Sequence, residues 1–109
     1  MDTISLIKDM LTAATGAAEG HAKDLEDYLT ARVKLIADGT AAIAGDLLNG
    51  NITEDDAKFA FDEIRESEKT AVLAAEVTSL AAAQDAINAA LAVAAQALST
   101  ATGMAVPFP

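Results

Sequence analysis

The chain has no cysteine and no tryptophan, and its two prolines, Pro107 and Pro109, both stand at the extreme C-terminus. Without cysteine there is no disulfide, no thiolate zinc site and no cysteine nucleophile. Without internal proline, no ring removes a backbone N–H or clashes with a preceding carbonyl anywhere before position 107. Histidine occurs once, at His21, so acid–base chemistry and metal binding have a single candidate of their usual residue type. Bases are also scarce: seven Lys and Arg stand against seventeen Asp and Glu, for a net charge of −10. Such a surface repels nucleic acid and anionic membrane, both polyanions.

Long apolar runs are missing as well. Ala86 to Leu98 comes nearest, but Asn88 and Gln96 interrupt it, and about 20 apolar residues are needed to span a bilayer. An acid at Asp2 and further charges at Lys8 and Asp9 break up the N-terminal apolar residues, unlike a signal peptide. The expectation is a protein of the cytoplasm with no integral membrane segment. Phosphate loop, dinucleotide fingerprint and nucleophile elbow are all absent from the sequence.

What the chain does have is alanine, 27 residues in 109. Alanine is the strongest helix former but buries little area. The expected fold is therefore all-α with a thin core. The firmest punctuation lies at the centre, in Leu48-Asn49-Gly50-Asn51-Ile52-Thr53-Glu54-Asp55-Asp56. Asn49 or Gly50 can take the left-handed conformation that ends a helix. Thr53 is a good N-cap, Asp56 completes an acidic variant of the capping box, and Glu54 and Asp55 place negative charge at the positive helix end.

The arms on either side, about Thr3–Leu48 and Thr53–Ala101, predict a long antiparallel helical hairpin with each arm about 65–70 Å long. A break near Gly39 is the alternative for the first arm, since Asp38-Gly39-Thr40 combines a stop with a cap. Residues 1–102 form one domain in this reading, and 103–109 an extended tail. Gly103 stops the helix and Pro107 forces extended geometry at Val106; Phe108 is a candidate to dock on a neighbouring subunit.

The first arm is amphipathic. Lys8, Thr12, Glu19, Lys23, Glu26 and Thr30 form a polar face opposite Ile7, Leu11, Leu25, Leu29 and Ile36. Ala14, Leu25, Ile36 and Leu47 recur at an eleven-residue interval, the period of a nearly straight stripe. Gly16 and Gly20, flanked by alanines, predict a close approach by another backbone, with Leu80 to Ala89 opposite if the arms fold about residue 50.

The second arm is densely charged up to Lys69. Beyond it only Glu76 and Asp85 are charged. There Leu73, Val77, Leu80, Gln84, Ile87, Leu91, Ala94 and Leu98 follow a four–three heptad, and a second seam of Ala83, Ala86, Ala90, Val93 and Ala97 lies beside it. A helix apolar over most of its circumference needs more than one neighbour. These residues are the predicted oligomer interface of a four-helix bundle or larger array, with Gln84 either locking the register or opening to water.

No cofactor, metal or catalytic residue is expected. His21 reads as a partly buried, hydrogen-bonded residue on the edge of the apolar stripe. Glu63 and Glu66 read as part of a solvated face. Asn49, Asn51 and Thr53 mimic alternate calcium ligands, but Glu54 stands where that loop needs glycine. The leading functional expectation is a non-enzymatic structural or interaction protein, self-associating as a scaffold, packaging component or adaptor, with a second copy of itself or another protein as partner and no nucleic acid. The alternatives are an acidic inhibitor or nucleic-acid mimic and a small exported hairpin. The chain has no Trp-x-Gly turn that would place it among secreted hairpins of that kind.

Overall fold

Among the described residues, three of the four α-helices begin on a side-chain cap. In the computed structural model, which describes residues 1–106, α1 (Thr3–Ala18) starts at Asp2, whose carboxylate accepts from the Ile4 N–H at 3.1 Å. The second helix, α2 (Ala22–Leu48), follows a short 3₁₀ turn at Glu19–His21 and has no side-chain cap. The third, α3 (Glu54–Leu73), starts with a full capping box: Asp56 N–H donates to the Thr53 hydroxyl, and Thr53 N–H donates to the Asp56 carboxylate, both at 3.1 Å. In α4 (Leu80–Thr102) the Ser79 hydroxyl accepts from Ala82 N–H. Gly50 (φ 76°) closes the central turn and Gly103 (φ 73°) ends α4, both in the left-handed region that glycine enters at no steric cost.

The chain is all-helical among the described residues, as alanine content and the central turn imply, but the two arms are not continuous. An unbroken helix from Thr3 to Leu48 would span about 69 Å, whereas the longest dimension of the molecule is 42 Å. The first arm breaks at Glu19–His21, where Glu19 takes φ 53° and ψ −123°. The second arm breaks between Leu73 and Leu80. Gly39, the alternative break point, lies inside α2.

Each helix runs back along its predecessor. Between α1 and α2 the residues sharing a cleft are Leu11 and Thr15 on one side and Glu26, Leu29 and Thr30 on the other. Arg32 meets Glu68 and Gly39 faces Ile64 where α3 returns along α2. Leu6 and Asp9 share a cleft with Val93, Gln96 and Ala97 where α4 passes α1. The α1–α2 and α3–α4 connections therefore lie at one end of the bundle. The α2–α3 turn lies at the other.

The physical reason for the double fold is the surplus of apolar surface in α4. Its buried residues Ala82, Ala83, Ala86, Ile87, Ala90, Leu91, Ala94, Ala95 and Leu98 cover a wide arc. That arc meets all three other helices. Alanines let α2 and α4 touch across the middle, with Leu25, Leu29, Val33 and Ile36 of α2 fully buried there with Met10 and Ala14 of α1. Of the eleven-residue stripe, Ala14, Leu25 and Ile36 are buried and Leu47 is half-buried. After Gly103 the chain stays on the bundle: Met104 is buried, and Val106 N–H donates to the Ser99 hydroxyl at 3.1 Å.

Candidate functional site

Among the described residues, most side-chain hydrogen bonds are local ones to the backbone. Thr12, Thr15, Thr30, Thr40 and Thr102 each donate a hydroxyl proton to the carbonyl four residues earlier. Asp2 and Asp56 hold helix starts. The Ser5 hydroxyl, then its N–H, draws the Asp2 carboxyl below its ordinary value, and the Thr53 N–H, then its hydroxyl, does the same for Asp56.

Among the described residues one polar constellation is tertiary. Arg32 on α2 reaches Glu68 on α3 with both ends of its fork: Nε donates to Oε1 at 2.8 Å and Nη2 donates to Oε2. The Glu68 side chain is 6% exposed and that of Arg32 26%. The carboxylate raises the affinity of the guanidinium for its proton. One turn before Arg32, burial pushes the Tyr28 phenol up, against the pull of the Arg32 charge, and its buried hydroxyl has no partner among the described residues. Bidentate pairing fixes the rotation and register of α2 against α3. Nothing in the composition singled out these residues. The signal was nonetheless in the numbering: a chain folded about residue 50 brings position 32 to position 68, and Arg32 is one of only two arginines.

His21 is exposed in the 3₁₀ turn, without a hydrogen bond to any described side chain, so the expectation of a half-buried, bonded histidine is corrected. Helix α1 ends just before it and turns it outward. Among the described residues no three His, Asp or Glu side chains converge as a metal ion would require, and no helix is long and apolar enough to cross a membrane.

The predicted oligomer interface divides in two. Ala83, Ala86, Ile87, Ala90, Leu91 and Leu98 are buried in the chain's own core, and Val93 and Ala97 are half-buried beside α1. Those residues are covered from within, because the chain folds over twice and supplies the missing neighbours itself. Leu73 and Leu80 remain 62% and 41% exposed on either side of the α3–α4 connection, with Val77 half-buried between them and Gln84 exposed. Gln84 is therefore no buried register lock. Leu73 and Gln84 line an open cleft of about 360 Å³, together with Lys69 and Asp85 at its rim and Val72 and Ile87 at its floor. An apolar floor flanked by one cation, one anion and two amides, Gln84 and Asn88, suits an amphipathic helix or an apolar side chain.

Close packing at Gly16 and Gly20 is also corrected. Both glycines are exposed, and a Cβ at either position would meet nothing within 4 Å. The close approach is at Gly39, where a Cβ would lie 2.8 Å from Ile64 Cδ1. Asn49, Gly50, Asn51, Thr53 and Asp56 form the α2–α3 turn and the α3 cap. Phe108 lies outside the described residues. No protein-family model, curated protein or solved structure matches the chain.

Proposed function

We propose that the chain is a non-enzymatic structural or interaction protein that self-associates, acting as a scaffold, packaging component or adaptor. One observation carries this reading. Among the exposed large apolar side chains, which also include Ile4, Leu35, Leu48 and Phe59, Leu73 and Leu80 stand on either side of one connection, and Leu73 lines an apolar-floored cleft. Exposed leucines scattered singly need no explanation, but two flanking one connection, one of them lining a cleft, make a surface suited to protein contact. The long hairpin inferred from the sequence belongs to the associated form.

Light scattering after size exclusion tests the reading. The expected result is a dimer or larger species at tens of micromolar, weakened by replacing Leu73 and Leu80 with serine. A monomer of 11.1 kDa throughout that range removes it.

The acidic-mimic alternative has less support. Glu68 is engaged with Arg32, Asp62 with Arg65, and Asp56 with the helix cap. Glu66 also lies 3.7 Å from Arg65, which leaves Glu54, Asp55 and Glu63 of this acidic set exposed without a partner among the described residues.

A further inference from the structure

The heptad seam does not stop where the helix stops. Leu73, Val77, Leu80, Gln84, Ile87 and Leu91 keep their four–three spacing straight through the non-helical connection between α3 and α4. In the folded-over chain this connection leaves Leu73 and Leu80 in water. Yet its residues Ala74-Ala75-Glu76 are strong helix formers, with neither glycine nor proline anywhere from 74 to 79. The other connection, at the same end of the bundle, is strained. Glu19 holds φ 53° with ψ −123°, a region essentially reserved for glycine, while the glycine sits one position later at Gly20. The first connection is thus strained at Glu19, and the second runs through Ala74-Ala75-Glu76 without a residue that excludes helix.

Straightening both connections together gives two continuous helices, Thr3–Leu48 and Glu54–Thr102. The α1–α4 pair then swings away from the α2–α3 pair as a unit and leaves both apolar faces open. A second copy in the same open form presents matching faces. We propose that the chain associates by this exchange: the α1–α4 pair of each copy packs on the α2–α3 pair of the other, every core contact of the closed fold is re-formed between copies, and the exposed Leu73 and Leu80 enter the restored seam. The proposal rests on the self-association inferred above and specifies how it occurs. Exchange of identical elements is a low-cost route to a dimer because no new surface has to be complementary.

The absence of cysteine makes the test clean. Thr15 on α1 and Glu26 on α2 line the same cleft. One full-length preparation carries Thr15→Cys and a second Glu26→Cys; they are unfolded, mixed, refolded at high concentration and oxidised. Exchange yields a disulfide between the two different chains, and the dimer, about 70 Å long, has a radius of gyration well above the 13.5 Å of the closed chain. A Cβ at Gly20 meets nothing in the closed fold, so Gly20→Ala folds normally and, by favouring continuous helix, tightens dimerisation about tenfold; Glu76→Gly weakens it by about the same factor. A dimer that forms no mixed disulfide overturns exchange and leaves self-association standing. A monomer at every concentration, in Gly20→Ala as well as the native chain, overturns both.

Discussion

Removing the two halves of the Arg32–Glu68 pair should have unequal effects, and the inequality follows from their burial. Arg32→Met leaves the Glu68 carboxylate without its partner at a site where only 6% of the side chain is exposed. Breaking a buried pair in this way costs about 3–5 kcal/mol, and the lower end applies because a quarter of the Arg32 side chain is in contact with water. Glu68→Met leaves the guanidinium instead. Its long stem lets the charge turn outward, so the loss is that of a charge-assisted hydrogen-bonded pair, about 1.5–3 kcal/mol. The double replacement substitutes apolar contact for the pair and should bring stability back to within about 1 kcal/mol of the native chain. Urea denaturation followed by circular dichroism measures all four proteins, with an unchanged slope showing that the same surface unfolds. In a thermal melt the Arg32→Met loss corresponds to at least about 12 °C for a domain of this size. A double variant no more stable than Arg32→Met would show that the two groups do not compensate each other, and would refute the account of α2–α3 register given above.

Other outcomes follow from the same packing. Tyr28→Phe removes a buried hydroxyl that has no partner, so thermal stability should hold or rise by up to about 1 kcal/mol; a clear loss would mean that the hydroxyl is bonded in solution. Gly16→Ala fills open space on a helix and should stabilise by about 1 kcal/mol, whereas Gly39→Leu must displace Ile64 and should destabilise by about 1–3 kcal/mol; reversed signs in urea titration would contradict the packing at both sites. Thr53→Ala removes the α3 cap and should cost about 1 kcal/mol. The carboxyls of Asp2 and Asp56 are held below their unfolded value of about 3.9, so their contribution is fully present above that value and is lost as pH falls through the lower folded values. Melts from pH 6 to pH 2 should show that loss, and Thr53→Ala should flatten it.

Local chemistry made the central turn and the start of α3 readable, because Asn49, Gly50, Asn51, Thr53 and Asp56 act on residues within five positions. The same locality hid the two other connections. Ala74-Ala75-Glu76 carries no stop signal, and Ala18-Glu19-Gly20 carries only one glycine among good helix formers. What bends the chain there is remote: α4 presents more apolar circumference than α3 and one partner can cover. The heptad made that surplus visible in the sequence. It did not reveal whether the cover would come from another copy or from α1 and α2 of the same chain, since both satisfy the same seam. The Arg32–Glu68 pair was legible only through the fold register, once positions summing to about 100 were placed opposite one another.

Glycine shows most sharply where sequence reasoning stops. A glycine in a helical stretch can mark a break, a close approach or nothing structural, and all three have the same composition around them. Gly39 resembled a break, with an aspartate before it and a threonine after; it is a close approach, set by Ile64 arriving from α3. The Gly16–Gly20 pair resembled a close approach, yet both positions are open, and the chain turns at Glu19 instead. A glycine at position 19 would have relieved the positive φ there. Its placement at position 20 leaves the closed turn strained while still weakening a continuous helix. The residue choice at this connection therefore favours neither form strongly, which is the condition a chain needs if concentration is to decide between folding over on itself and folding over a second copy.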